Sequence, residues 1–159
     1  MADLFIMCGI PGSGKSTFIK NHLKEGTIVI SRDQIRFSLL KEGEDYFAHE
    51  KEVYKIMWSS ISNALKEGKT VVVDQTSLTP RSRKYLIDHV EGYEKINIFW
   101  VKTDLKTAIA RNEKRKGTRA FVPPSQICRM FSQFIPPTLE EGFTKIYKLE
   151  NEQLSVKSR

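Results

Sequence analysis

Apolar runs alternate with helical patterns along this chain. Residues 4–9, LFIMCG, are apolar on both faces, which predicts a buried strand. TIVIS (27–31), TVVVD (70–74) and INIFWV (96–101) predict the same. KIYKLE (145–150) is less apolar and reads as an edge strand. Between them, three- and four-residue spacing predicts helices near 15–24, 33–41, 47–67, 80–90, 104–115 and 124–134. The third is the clearest. Val53, Ile56, Met57, Ile61, Ala64 and Leu65 share one face, and KEGK (66–69) ends the pattern at Gly68. Strands separated by helices pair in parallel through right-handed crossovers. The expected fold is an α/β sandwich around a central parallel sheet of about five strands. No repeat, low-complexity run or linker divides the sequence. One domain is expected over residues 1–150, followed by a polar tail, NEQLSVKSR (151–159), that frays.

Composition narrows the class of partner. Of 159 residues, 26 are Lys or Arg and 19 are Asp or Glu, for a net charge of +7. That surplus is either ordinary solubility charge or attraction toward an anion such as nucleic acid or nucleotide phosphate. Cys8 and Cys128 form neither a metal-ligand spacing nor a disulfide framework, so a reducing compartment is the default. No basic leader precedes an apolar stretch, and no apolar run approaches ~18 residues. A cytoplasmic protein without membrane contact is expected; oligomeric state is not legible.

The stretch GIPGSGKST carries the first chemistry. Gly9, Gly14, Lys15 and Ser16 fit the P-loop spacing G-x-x-x-x-G-K-S/T, with a strand before and a helix after. Gly12 and Gly14 allow a backbone that turns its N–H groups inward around phosphate oxygens. The following helix aims the positive end of its dipole at the same anion. The whole loop, Gly9, Pro11, Gly12, Ser13, Gly14, Lys15, Ser16 and Thr17, is the candidate site for ATP. Lys15 would bridge the outer phosphates, and Ser16 would ligate Mg2+. Asp74, at the end of a buried strand, is the candidate second metal-side group; a loop or cap acid is the plainer reading. No guanine-reading N-K-x-D pattern is present, which argues against a GTPase.

A second carboxylate marks an acceptor side. In VISRDQIRF (29–37), Asp33 sits where a strand meets a helix, with Arg36 three residues on. Asp33 is a candidate general base or a plain helix N-cap. A carboxylate (reference pKa about 3.9) cannot deprotonate a water-like hydroxyl (about 15.7) beforehand, because the gap is worth ~16 kcal/mol. It can orient the hydroxyl and take the proton late, as a loose phosphoryl-transfer transition state permits. Arg36 could grip an acceptor phosphate through its fork. Residues 102–124 form a basic lid. Lys102, Lys106, Arg111, Lys114, Arg115, Lys116 and Arg119 face only Asp104 and Glu113. Arg111 and Arg115, one helical turn apart, are the candidates for closing over a triphosphate. Lys106 and Lys114 read as a solvated face.

Together these segments resemble the 5′-polynucleotide kinases, both the bacteriophage type and the kinase domain of animal polynucleotide kinase–phosphatases. The resemblance rests on GIPGSGKSTF (9–18), SRDQIR (31–36), DQTSLTPRSR (74–83), ARNEKRKGTRAFVP (110–123) and PPTLEEGFTKI (136–146), in family order. It implies a P-loop kinase that moves the γ-phosphate of ATP to a 5′-hydroxyl end of DNA or RNA. Position by position it implies Lys15 and Ser16 in the P-loop, Asp33 as general base and Arg36 at the acceptor. It also implies Asp74 on the metal side and Arg115 as the lid arginine. Lys116 separates Arg115 from Gly117-Thr118, one residue more than the bacteriophage pattern, which leaves Arg111 and Arg115 both open for that role. Asp74-Gln75-Thr76 lacks the first aspartate of the phosphatase motif D-x-D-x-T, so kinase activity without 3′-phosphatase activity is expected. The alternatives are a nucleoside, sugar or other small-metabolite kinase on the same fold, and a non-catalytic nucleotide sensor.

Overall fold

Strand and helix alternate along the folded chain. β1 (Ala2–Cys8) leads to α1 (Lys15–His22), and β2 (Ile28–Ser31) leads to α2 (Arg32–Leu39) and α3 (Glu50–Lys66). β3 (Val71–Asp74), α4 (Pro80–Ile87), β4 (Tyr93–Val101), α5 (Leu105–Glu113) and α6 (Pro124–Gln133) follow. A short 3-10 turn (Leu139–Glu141) precedes β5 (Lys145–Glu150) and β6 (Gln153–Ser158). This computed structural model describes residues 2–159; Met1, where the expected domain starts, lies outside the described residues.

Side-chain alternation builds the core on both sides of the sheet. In β1, Leu4, Ile6 and Cys8 join one cluster and Phe5 and Met7 the other. In β3, Val71 and Val73 go one way and Val72 the other. Met57, Ile61 and Leu65 of α3 and Leu86 of α4 cover the first face, and Phe18 of α1 covers the second. Each fully buried aliphatic side chain here contributes about 1.5–3 kcal/mol. Ile56, expected on the buried face of α3, is 36% exposed, because the fully buried stripe runs through Val53, Met57, Ile61 and Leu65 and is flanked by Tyr54, Trp58 and Ala64.

The strand order is β2-β3-β1-β4-β5-β6. The first five strands run parallel, and β6 returns antiparallel to β5. The sheet thus has six strands, mostly parallel, rather than five, and β5 is internal rather than at an edge. Residues 151–159, expected to fray, instead close a hairpin. Asn151 and Glu152 take positive φ values of 49° and 64°, the twist of a two-residue hairpin turn. Leu154 then sits opposite Leu149, and Val156 opposite Tyr147. Two apolar residues in nine gave the pattern too little contrast to predict that strand. The sheet's order also positions the site. From β1 the chain runs toward β2, and from β4 it runs the opposite way toward β5. These neighbours diverge at their carboxyl ends, and a ligand crevice opens there.

Candidate active site

The glycine-rich loop lies in that crevice. Gly12 has a φ of +82° and Gly14 of +100°, both in the region that favours glycine. At Gly12 a Cβ would stand 2.3 Å from the carbonyl oxygen of Ala108 in α5, so only glycine lets the loop press against that helix. Ser13 N–H donates to Ile10 O (3.1 Å), and Phe18 N–H to Gly14 O (2.9 Å). The Ser13 hydroxyl is buried without a partner among the described residues, and Ser16 and Thr17 are exposed. Backbone donors at a helix start, a spare buried hydroxyl and a lysine form an anion cradle.

Lys15 is half-buried and donates from Nζ to Gly9 O (2.7 Å) and Ile10 O (3.0 Å). Burial pulls its pKa down to about 8. Asp74, Cys8 and Asp33 act against that shift, and Arg115 adds to it. The unfolded chain holds this proton up to its ordinary value of 10.5, so between about 8 and 10.5 rising pH favours the folded state at this group. A polyphosphate favours the protonated form. Its affinity is therefore expected to fall as pH rises through 8, with proton uptake on binding. Calorimetry in two buffers of different ionisation enthalpy measures that uptake; affinity unchanged from about pH 7 to 9.5 would contradict it.

Two carboxylates stand at the ends of adjacent strands. Asp74 closes β3, paired in register with Ser31 of β2. Burial pushes its carboxyl above the usual range, Lys15 opposes this, and Asp33 adds to it. Asp33 is not the N-cap of α2. Ser31 caps that helix, accepting from Gln34 N–H (3.3 Å), and Asp33 lies inside the first turn with its side chain 63% exposed. Arg36 Nη1 (2.6 Å) and the Tyr46 hydroxyl (2.9 Å) both donate to its Oδ1. Oδ2 accepts no bond among the described residues.

Arg36 is buried, not extended toward an acceptor. Its Nη2 and Nε fork onto Glu50 (2.7 and 3.2 Å), and Nη1 also reaches the Tyr46 hydroxyl (2.7 Å). The Glu50 bonds raise its pKa against the cost of burial. Arg32 shares Glu50 as a partner. Sequence reasoning missed Glu50 and Tyr46, because both stand outside the recognised motifs and meet Arg36 only through folding. It also left Arg83 without a role. Arg83 is fully buried, bonded to Glu141 (2.7 Å), Ser77 O (2.8 Å) and Ile135 O (3.0 Å). It ties the segment after Asp74 to the PTLEEG segment.

The lid splits its charges. Arg111 Nη1 donates to Ser13 O (3.0 Å) across the loop. Arg115 lies past the end of α5, half-buried, and is close enough to Lys15 and Asp74 to act on both. Both arginines line a cleft of about 1110 Å³ together with Gly14 and Thr17. Lys102 is taken by Glu150 (2.9 Å). Arg119 rests on α2, bonded to Phe37 O (3.2 Å) with its guanidinium 5.4 Å from that ring. Lys106, Lys114 and Lys116 are exposed. Phe131 and Phe134 line the same cleft, and Phe134 packs on Trp100 (5.5 Å). No helix among the described residues is long and apolar enough to cross a membrane.

A parallel sheet with a glycine-rich anion cradle after β1 and an arginine lid after β4 defines a P-loop α/β protein. The chain belongs to the AAA domain family, whose model matches residues 4–137. It is 27% identical over 148 residues to the bifunctional polynucleotide phosphatase/kinase of Schizosaccharomyces pombe. That match covers 91% of this chain and 32% of the relative, so the chain spans about a third of its length. The structure of the Pnkp1/Rnl/Hen1 RNA repair complex contains a chain that is similar at TM-score 0.73 and 26% identity, covering 83% of this chain and 43% of that one. A sugar kinase from Janibacter sp. HTCC2649 shares the fold at TM-score 0.64 and 15% identity, over 93% of this chain and 85% of that one.

Proposed function

We propose that this chain is a single-domain kinase module that transfers the γ-phosphate of ATP to the 5′-hydroxyl end of a DNA or RNA strand. The observation that carries the reading is the arrangement along one edge of the sheet: the Lys15 loop after β1, Asp74 at the end of β3, Asp33 just past the end of β2, and Arg115 in the cleft that the loop lines. The likeness to polynucleotide kinases supports the choice of acceptor.

The loop N–H groups and Lys15 hold the donor phosphates. Lys15 exchanges its bonds to Gly9 O and Ile10 O for phosphate oxygens. The Ser16 hydroxyl and the Asp74 carboxylate are hard oxygen donors of the kind Mg2+ takes alongside phosphates. When bound, Mg2+ would supply neutralisation of the phosphate charge. Asp33 presents its free Oδ2 to the acceptor hydroxyl and receives the proton as the bond to phosphorus forms. Arg36 positions Asp33 and would reach an acceptor phosphate only by freeing Nη1. The sequence contains no D-x-D-x-T, and a 3′-phosphatase step forms no part of the proposal.

The lid arginines divide by what they touch. Arg115→Ala is expected to lower kcat with every acceptor alike, by about 10²–10³. Arg111→Ala, which loses the loop contact, is expected mainly to raise KM for ATP. Steady-state kinetics of both variants decide it; a crippled Arg111→Ala beside a mild Arg115→Ala would shift the lid register by one turn. For the acceptor, a footprint of two or three phosphates on a single strand predicts a slope of roughly −1.5 to −2 for log affinity against log salt. A salt series with a short 5′-OH oligonucleotide measures it. Salt-independent affinity together with efficient phosphorylation of a phosphate-free nucleoside would favour the small-metabolite kinase.

A further inference from the structure

A second cleft, about 610 Å³, is lined in part by the sequence neighbours of the two carboxylates. Arg32, Tyr54, Trp58, Gln75, Arg81 and Tyr85 line it. Arg32 immediately precedes Asp33, and Gln75 immediately follows Asp74, so the cleft begins at the same carboxyl edge of the sheet.

Its wall is aromatic, and one ring is open. Tyr54 stacks along Trp58 at 5.4 Å, and His89 covers Trp58 at 4.0 Å. Tyr85 meets Tyr54 and Trp58 edge-on, at 5.3 and 5.5 Å, and His89 at a tilt, at 4.8 Å, yet stays 45% exposed. A cluster that served only packing would hide its rings and satisfy its donors. Here Nε of Arg32 and Nε1 of Trp58 are buried without a partner among the described residues. The Gln75 amide donates to Ser77 Oγ (3.0 Å), with its own carbonyl oxygen left as an acceptor. Arg81 is exposed on α4 four residues before Tyr85, on the same side of the helix. An exposed aromatic ring, unpaired N–H donors and a nearby cation without a partner among the described residues together suit a nucleotide.

We infer that this cleft is a nucleobase site for the acceptor strand, in which Tyr85 stacks on a base and Arg81 holds a neighbouring phosphate. The inference rests on the polynucleotide reading above. It also gives that reading a grip on the strand that does not depend on sequence, since stacking tolerates any base.

The test is an abasic scan. Short 5′-OH oligonucleotides carrying one abasic site, walked through the first three positions, are phosphorylated by the parent chain and by Tyr85→Ala and Tyr85→Phe. In the parent, one position is expected to raise acceptor KM about tenfold. In Tyr85→Ala the intact strand is expected to show that same rise, with the abasic-to-intact ratio falling to about one. Tyr85→Phe keeps the ring and should retain the parent's ratio. Arg81→Ala should reduce the salt slope by about 0.7 and leave the abasic ratio in place. Strand phosphorylation with a ratio of one at every position in the parent, or an unchanged ratio in Tyr85→Ala, overturns the base site alone. No phosphorylation of any strand overturns the acceptor reading and the base site with it.

Discussion

Asp33→Asn is expected to fold normally, bind ATP normally and lose about 10²–10⁴ in phosphoryl transfer. The arrangement around Asp33 separates those effects. Both protein donors, Arg36 Nη1 and the Tyr46 hydroxyl, converge on Oδ1. An asparagine carbonyl can keep both bonds. Its amide then stands where Oδ2 stood and cannot take a proton. Arg36 also keeps its fork on Glu50, so no buried charge is stranded. Thermal unfolding, ATP titration and single-turnover kinetics on one preparation read the three quantities. A variant within a few-fold of the parent rate would remove Asp33 as the base.

Lys15→Ala is expected to abolish most transfer, by about 10²–10³ or more, with unfolding free energy within about 1 kcal/mol of the parent. Two terms oppose each other in the folded chain. The substitution removes bonds to Gly9 O and Ile10 O, and it also removes a charge whose lowered pKa shows that burial disfavours it. The catalytic term has no such offset, because the donor's outer phosphates lose their only loop side-chain cation. Stability and rate measured side by side check it. Near-parent turnover in a folded variant would overturn the P-loop assignment.

The elements legible in the sequence were those whose signal is local. β1 and β3 are apolar on both faces because helices cover both, and the loop after β1 declares its glycines and lysine. Strand ends were legible too, which put Asp33 and Asp74 at the carboxyl edge of the sheet. What was hidden depends on tertiary meeting. Glu50 begins α3, 14 residues beyond Arg36, and nothing in its own neighbourhood marks it as that arginine's partner. Glu141 lies 58 residues from Arg83. β6 was hidden for a different reason, since all six of its residues are exposed and only backbone pairing with β5 defines it. Arg36 shows the limit of motif transfer. Its position implied an acceptor contact, whereas its side chain is buried and bonded to Glu50 and Asp33.

The proposed acceptor is the 5′-hydroxyl end of a nucleic acid strand. The direct measurement offers the chain γ-labelled ATP and Mg2+ with a 5′-OH oligonucleotide, a 3′-mononucleotide, and a panel of free nucleosides and sugars in parallel. Label is expected on the 5′ end of the oligonucleotide, at a kcat/KM well above that for any nucleoside or sugar. Label on a nucleoside or sugar, with the oligonucleotide untouched, would contradict the account.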